Sequence, residues 1–337
     1  MPVQFNHRDR SIRQVAEAQL SPAATRSNAT RGRVVDEPPD RDRTCFEVDR
    51  DRILHAKAFR RLKHKTQVFI NPDGDHYVTR LTHVVQVTQV ARALAAALGL
   101  NEPLVEAIAL GHDVGHTPFG HAGEDVLIEY IPGWQHGAQG VRIFDILEPA
   151  NLTSEVRDGI RAHTWSVTPP PETPEALCVR WADRIAYLTH DARDAIRAGM
   201  LRADELPAAV IRRLGPPSGS WIGQLVRAVI DHTVANDALA MEPETGGMMD
   251  ELRAFMFEHV YLSADLVADK DAVMAVTRRL IDFHVEHPQH IPDSYREHDA
   301  DRLRQVTDYV AGMTDRFALA THQRRIGPVP LEQLAYS

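Results

Sequence analysis

The chain has 337 residues, of which 43% are hydrophobic and 25% are charged, with a formal net charge of −9 at pH 7. This length can bury a large core in one or two domains, and the negative charge argues against general nucleic-acid binding while leaving a local basic patch open. The two cysteines, Cys45 and Cys178, lie far apart, which excludes a disulfide framework and a thiolate zinc site and favours the reducing cytoplasm. No stretch reads as a signal peptide or a membrane span, so we expect no membrane partner.

Residues 1–45 carry eight arginines and no sustained apolar periodicity. This composition predicts a flexible, Arg-rich N-terminal arm. We interpret the arm as a solvated tail that orders only against a neighbouring subunit, in preference to a specific ligand-binding segment. A contact to single-stranded nucleic acid remains the alternative.

Helical periodicity begins at Phe46 and continues through most of the chain. The spacing and the cap residues predict six successive helices. They are Arg80 to Leu98 with Gly99 as its stop, a helix capped by Asn101 that ends at His112-Asp113, a third starting near Phe119, a fourth over 135–147, a fifth over 153–163, and a sixth capped by Thr173 that runs from Pro174 to Gly199.

Strand signals are weak outside a short run before Asn71-Pro72-Asp73-Gly74, which could form a short β-hairpin near residues 67–78. The fold class is therefore predicted as all-α, a multi-helix domain. We place a catalytic domain at 46–200 and a C-terminal helical region, packed on that domain, at 201–337.

Ionisable side chains that suit a metal ion lie in three of the predicted helices: His83, the His112-Asp113 doublet and Asp183. Two imidazoles and two carboxylates suit one divalent ion such as Mn, Mg, Fe or Co. Taken singly, His83 is more typical of a hydrogen-bonded core histidine than of a ligand, and the doublet is equally typical of a capped helix end. The glycines Gly111 and Gly115 favour a site, because glycine at a helix end often marks a close backbone approach to a ligand.

The order His83, His112-Asp113, Asp183 reproduces the H…HD…D pattern of the HD phosphohydrolase superfamily. Longer motifs, spread over about residues 45–320, resemble the dGTPase-like deoxynucleoside triphosphate triphosphohydrolases. These motifs are FRRL at 59–62, KTQV at 65–68, TRLTH at 79–83, GHDVGHTPFGHAGE at 111–124, ADRIAYL at 182–188 and DYVAGMTDRFA at 308–318. The resemblance implies an HD-domain fold.

The resemblance also implies a reaction. A single metal held by His83, His112, Asp113 and Asp183 would bind the α-phosphate and a water, and a deoxynucleoside and intact tripolyphosphate would leave. A divalent cation stabilises the charge that builds on the phosphate oxygens and lowers the pKa of water.

Further residues of the motifs are candidates for proton transfer. His121 and Glu124 are three residues apart on one helix face, which favours a dyad in which His121 is base or acid and Glu124 fixes its tautomer. The alternative is a surface ion pair at a helix start. By the resemblance, His116 and His136 line the phosphate channel, whereas His163 fits a core or a surface position equally.

Substrate binding is predicted from cations and from a group of sugar contacts. Arg80 matches a phosphate-contacting arginine of the family, and one or two members of the basic run Arg60, Arg61, Lys63 and Lys65 reach phosphate while the rest form a solvated face.

The sugar contacts are implied by the resemblance. Gln67 lies near the sugar, and Tyr187 and Asp191 contact the deoxyribose, with the tyrosine ring where a 2′-hydroxyl would sit. A core tyrosine and a solvent aspartate paired with Arg193 or Arg184 is the alternative interpretation.

The sequence departs from the family where Gly137, in place of an asparagine, follows His136. The alternative functions are another HD-type phosphohydrolase, namely a nucleotidase, a phosphodiesterase or a guanosine-tetraphosphate hydrolase, and a non-hydrolytic nucleotide sensor. We expect a dNTP substrate and a homo-oligomer, with an allosteric nucleotide as a further candidate partner. The base preference among the dNTPs stays open.

Overall fold

The computed structural model describes residues 5–67, 78–296 and 300–328, and within these ranges regular structure is helical with no β-strand. The α-helices are α1 Arg10–Ala16, α2 Cys45–His55, α3 Lys57–Arg61, α4 Arg80–Leu98, α5 Glu102–Gly111, α6 His121–Tyr130, α7 His136–Arg142, α8 Ser154–Arg161, α9 Pro174–Arg197, α10 Ala208–Leu214, α11 Ser220–Asn236, α12 Pro243–Met256, α13 Ala264–Glu286, α14 Asp293–Arg296, α15 Arg302–Ala311 and α16 Asp315–Arg325. The predicted all-α class is confirmed. Among the described helices, none combines the length and apolarity needed to cross a membrane.

Helix ends follow the local signals in the sequence. The Asn101 side chain accepts a hydrogen bond from the Leu104 amide, and Thr173 caps α9 in the same way from the Ala176 amide. Gly99 adopts a left-handed conformation with φ of +65° and ends α4. The fourth predicted helix begins as α7 and continues as a π-helical segment, Ile143–Leu147.

The predicted hairpin lies almost wholly outside the described residues, which stop at Gln67 and resume at Val78. At its base, Thr66 and Thr79 form an isolated antiparallel bridge. This bridge brings the start of α4 next to the segment after α3.

Buried side chains form two apolar cores, and the division does not fall at residue 200. The first core surrounds α4, α5 and α9 and continues through Trp221, Met248 and Val260 in α11, α12 and the π-helical segment Phe257–Tyr261. The second core packs α13, α15 and α16 against α6. The C-terminal region is thus shared between both cores, and the loop from α5 to α6 joins them.

The N-terminal segment, predicted as a flexible arm, is packed against its own chain over the described residues 5–44. Glu175 of α9 accepts hydrogen bonds from the Thr25 amide at 2.9 Å and the Thr25 hydroxyl at 2.8 Å. Arg33 pairs with the buried Asp49, and Arg13 pairs with Glu47 at 2.6 Å. The prediction missed this because charge composition reports solvation and not the buried carboxylates that arginines find after folding.

Candidate active site

Four predicted metal ligands meet in the interior although they come from separate helices. His83 lies on α4, Asp183 lies on α9, and His112 and Asp113 directly follow α5. His83 Nε2 lies 3.0 Å from Asp183 Oδ1 and 3.8 Å from Asp113 Oδ2. His112 Nε2 lies 3.4 Å from Asp113 Oδ1 and 3.9 Å from Asp183 Oδ1. The close packing of α4 against α5 and α9 therefore assembles a single site.

These donors fit a divalent cation. His112 Nδ1 donates to the Ala109 carbonyl at 2.6 Å, so the neutral ring carries its lone pair on Nε2, which is buried without a hydrogen-bond partner. Ligand atoms of His83, His112 and Asp113 lie within 4.8 Å of one another. Burial opposes the ionisation of Asp113, but the facing His112 ring and the guanidinium of Arg80 hold its pKa well below the usual value. An anionic carboxylate beside a free imidazole lone pair is the chemistry of a metal ligand set.

Arg80 lies against this ligand set. Its guanidinium is buried, and Nη1 donates to Asp113 Oδ2 at 2.6 Å. Nε and Nη2 donate to the Thr66 carbonyl at 3.2 and 3.0 Å. The position is suited to an anion bound next to the metal site, and the phosphate contact of Arg80 stays a prediction.

A second group of ionisable residues lines the same interior. The His116 ring stacks on the His136 ring with centroids 3.8 Å apart, and the His121 ring lies 5.2 Å from His116. His116 Nε2 lies 3.2 Å from Asp113 Oδ1, so the two groups are continuous. The structure thus brings together all four histidine and glutamate residues predicted for proton transfer, since Glu124 bonds to His136 here.

Glu124 has a different partner from the one expected. Its carboxylate accepts from the His136 amide at 3.1 Å and from His136 Nδ1 at 3.0 Å, and among the described residues none of its hydrogen bonds reaches His121. The spacing of three placed His121 and Glu124 on one face, but the α6–α7 turn presents two stronger donors from His136. His121 instead reaches solvent.

The electrostatics of the pair follow from these contacts. Burial raises the pKa of Glu124, but the neighbouring His136 outweighs burial and lowers it to about 2. Desolvation by the surrounding protein, and then the charge of His136, lower the pKa of His121. A neutral His121 can accept a proton near pH 7.

His163 is a member of the site that sequence reasoning left undecided. Its Nε2 lies 3.1 Å from His136 Nε2 and 3.9 Å from Asp113 Oδ1, and its ring lies 4.9 Å from His112. Burial, and then the charges of His112 and His136, lower its pKa to about 3. His163 lies 50 positions beyond the HD doublet outside the quoted motifs, so the sequence carried no signal for it.

The two glycines near the doublet serve helix packing. A Cβ on Gly111 would lie 2.6 Å from Ile160 Cδ1, and a Cβ on Gly115 would overlap the His136 carbonyl and the Gly140 amide. Their expected role, approach to a ligand, is therefore corrected to approach between α5, α7 and α8. The contact at Gly115 allows His116 to stack on His136.

The predicted sugar contacts share the interior face of α9. Asp191 is buried and accepts a hydrogen bond from the Tyr261 hydroxyl at 2.6 Å. Burial raises the pKa of Asp191 to about 7 and that of Tyr187 to about 12. The alternative of a solvent aspartate is wrong, and Arg184 pairs with Asp250 instead. Tyr261 comes from the π-helical segment after α12 and was not predicted.

The remaining predicted substrate residues differ in their surroundings. The side-chain oxygen of Gln67 is buried without a hydrogen-bond partner, and its backbone carbonyl lies 3.5 Å from Arg80 Nη2. Arg60 is exposed and donates to the His55 carbonyl at 3.1 Å, and Arg61 pairs with Glu148 at 2.8 Å. The backbone of Gln67 thus lies beside Arg80 of the site, whereas the two arginines have protein partners.

Comparison with known proteins gives matches along most of the chain. An HD domain model matches residues 80–188, and a phosphohydrolase-associated domain model matches residues 239–324. The chain is 44% identical to a deoxyguanosinetriphosphate triphosphohydrolase-like protein from Caldanaerobacter subterraneus over 92% of this chain and 93% of that one. It is 43% identical to a protein of the same description from Clostridium perfringens, over 91% and 94%.

One solved structure supports the fold. A phosphohydrolase from Bacteroides thetaiotaomicron superposes with a TM-score of 0.51 at 18% identity, covering 81% of this chain and 67% of the other. The HD domain match contains His83, His112, Asp113 and Asp183, so the buried cluster lies inside the matched region.

Proposed function

The chain belongs to the deoxyguanosinetriphosphate triphosphohydrolase-like family of HD phosphohydrolases, and we propose that it hydrolyses deoxynucleoside triphosphates to a deoxynucleoside and tripolyphosphate. One observation carries the proposal: the donors of His83, His112, Asp113 and Asp183 converge in one site, with His112 Nε2 buried and unpartnered. A metal-dependent hydrolase needs such a donor set beside a cation that can bind phosphate, and Arg80 supplies that cation.

A divalent ion held by those four residues would offset charge on the phosphate oxygens and lower the pKa of water. In the proposed reaction a water oxygen bonds to the α-phosphorus, the bond from that phosphorus to O5′ breaks, and O5′ takes up a proton. The products are a deoxynucleoside and tripolyphosphate, so no second nucleophile is required.

The protein residues have separate tasks in this scheme. Arg80 orients the phosphate chain, since its buried guanidinium already lies beside Asp113. His121 accepts the proton of the attacking water or donates one to O5′. Glu124 holds the tautomer of His136 through Nδ1, and the stacked His136 and His116 rings line the channel in front of His121.

Sugar recognition is assigned to Gln67, Tyr187 and Asp191. The unpartnered oxygen of Gln67 can accept a bond from a hydroxyl, and Asp191 is fixed by Tyr261. A tyrosine ring placed against C2′ would exclude ribonucleotides by steric conflict.

Product identification tests the proposal most directly. Purified protein is incubated with Mn²⁺, Mg²⁺, Co²⁺ or Fe²⁺ and each of the four dNTPs and four NTPs, and products are followed by phosphorus NMR. We expect tripolyphosphate from at least one dNTP and far less from the matching NTP, with no product from the His112→Ala variant. Release of orthophosphate or pyrophosphate would indicate another HD-type reaction, and tight nucleotide binding without products would indicate a sensor.

A further inference from the structure

The turn between α15 and α16 contacts two separate segments of the active site. This turn, 311–315, lies in the DYVAGMTDRFA motif, to which the proposed function assigns no role. One contacted segment is Lys65-Thr66, which precedes the predicted sugar residue Gln67. The other is the loop 116–119 between the HD doublet and His121. A residue of the C-terminal region is therefore placed to act on both.

Asp315 makes the central contacts. Its carboxylate is buried, Oδ2 accepts a hydrogen bond from the Thr66 amide at 2.8 Å and another from the Thr66 hydroxyl, and Oδ1 accepts one from the Phe119 amide at 2.9 Å. The residues joined are 249 and 196 positions apart in the chain. One carboxylate thus ties both active-site segments to α16.

Lys65 reinforces the same junction. Its buried ammonium donates to the Ala311 carbonyl at 3.0 Å and to the His116 carbonyl. Because Ala311 is the last residue of α15, the turn holds the catalytic loop at two points, His116 and Phe119. The loop between them leads directly into α6 and its first residue, His121.

The backbone at Phe119 adopts a strained conformation that contacts from other segments must stabilise. Phe119 has a φ of +62°, a conformation that costs energy for a residue with a Cβ, and Gly120 follows at +58°. Such residues persist where surrounding contacts fix them. A Cβ on Gly120 would lie 3.0 Å from Arg80 Nη2, so this turn is pressed against the phosphate-binding arginine.

The other contacted segment, Lys65-Thr66, lies against the same arginine. The Thr66 carbonyl accepts both Nε and Nη2 of Arg80, whose Nη1 reaches Asp113. Holding Thr66 through its amide and hydroxyl therefore restrains the residue whose carbonyl orients Arg80.

We propose that Asp315 is a positioning residue for the reaction, which keeps Arg80 aimed at the site through Thr66 and keeps His121 in place through Phe119. The kinetic test of this inference rests on the proposed function, whereas the test by deuterium uptake does not. Asp315 itself touches neither the predicted ligands nor the predicted sugar contacts.

The test compares Asp315→Asn with a matched control, Asp49→Asn. An asparagine at 315 has one acceptor oxygen, so an amide NH₂ must face either the Thr66 donors or the Phe119 donor. Asp49 is also buried, and its Oδ2 accepts from the Thr153 amide at 2.8 Å and hydroxyl at 2.7 Å. Both variants weaken the bonds from a carboxylate to a threonine amide and hydroxyl, and Asp49→Asn also loses the ion pair with Arg33. Only Asp315→Asn makes its change at the active-site segments.

The first readout needs no substrate. Deuterium uptake by peptides covering 116–120 and 62–67 should rise at least about tenfold in rate in Asp315→Asn, relative to the wild type, and stay unchanged in Asp49→Asn. Unchanged uptake in both peptides of a folded Asp315→Asn variant overturns the proposal. If the wild type shows no dNTP turnover, the proposed function fails. The deuterium uptake still decides whether Asp315 holds the two segments in place.

The second readout is kinetic. We expect kcat of Asp315→Asn to fall at least about tenfold with KM changed less than about threefold, since the loss of an interaction made only in the transition state lowers kcat. Asp49→Asn should lower the unfolding temperature and leave kcat within about twofold. Equal kcat losses in the two variants at equal unfolding temperature would overturn the positioning role.

The third readout is a double-mutant cycle with Thr66→Ala, which removes the hydroxyl donor and keeps the backbone. If Asp315 acts through Thr66, the combined loss of kcat is smaller than the product of the single losses, whereas Asp49→Asn and Thr66→Ala multiply. Multiplicative losses for Asp315→Asn and Thr66→Ala would contradict the proposal. Should Asp315→Asn fail to fold, the uptake and kcat of Thr66→Ala give the same two answers.

Discussion

The buried histidine cluster has two halves that use the same residue types in opposite ways. The metal half, proposed to hold the ion, is His83, His112, Asp113 and Asp183, and the proton half, proposed to transfer protons, is His116, His121, Glu124 and His136. In the metal half, His112 Nε2 lacks a hydrogen-bond partner and lies 3.4 Å from Asp113 Oδ1. In the proton half, one carboxylate is fully occupied by His136. We propose that hydrogen-bond partners, more than residue type, separate the candidate ligand His112 from His136, whose Nδ1 is held by Glu124.

The largest effect should come from removing a donor of the metal half. His112→Ala deletes the unpartnered imidazole nitrogen, so we expect loss of bound metal and loss of activity to the detection limit. Metal content by mass spectrometry and product NMR check this, with His232→Ala on α11 as the control. A variant that keeps both metal and turnover would erase the distinction between the halves.

A change in the proton half should lower activity without lowering the metal content. His121→Ala is expected to keep its metal content and lower kcat by about 10²–10⁴, the range for a general acid or base. The comparison requires both measurements on the same preparation. Loss of metal in this variant would place His121 among the ligands.

Glu124→Gln tests the occupied carboxylate by its pH dependence. The pKa of Glu124 in the folded protein lies below its usual 4.5, at about 2, so its stabilising contribution is present above pH 4.5 and is lost as pH falls towards 2. The shift corresponds to about 3 kcal/mol. Urea unfolding from pH 7 to pH 3 should show the wild type and the variant converging as pH falls.

The matched control for that experiment is Glu129→Gln on the same helix. Glu129 pairs with Arg278 at 2.6 Å but is exposed to solvent, so its ion pair is screened. The difference in unfolding free energy between wild type and Glu129→Gln should be small at every pH. A flat difference for Glu124→Gln as well would show that its pairing with His136 contributes little.

The smallest effect is expected outside both halves. Tyr187→Ala should leave metal content unchanged and lower the unfolding temperature, because its ring packs against the first core. It should lower the ratio of kcat/KM for a dNTP over its NTP by about tenfold, because a steric conflict with the 2′-hydroxyl is relieved. Rates with paired nucleotides measure it. An unchanged ratio would remove Tyr187 from sugar discrimination.

The sequence predicted the fold and part of the site because those features depend on short-range rules. Helix periodicity and caps such as Asn101, Gly99 and Thr173 act within one or two turns. The order of His83, His112-Asp113 and Asp183 identified the family. Burial on one helix face then followed from spacing, as for Asp183 and Asp191.

Partners that lie far apart in the chain could not be predicted in this way. Glu124 and His136 are 12 residues apart, Asp191 and Tyr261 are 70 apart, and Thr66 and Asp315 are 249 apart. No local pattern reports which of several donors will reach a buried carboxylate. The expected dyad of Glu124 with His121 was inferred from their proximity along one helix. In the structure Glu124 instead accepts hydrogen bonds from His136 on the next helix.

By itself the sequence determined the helices, the ligand order and the family, since each is written in residue types at fixed spacings. Only the tertiary structure decided that the N-terminal arginines pack on the core, that His163 joins the cluster, and that Asp315 holds two active-site segments. The physical reason is that a buried polar group must find a partner after the helices pack, and packing selects that partner from the whole chain.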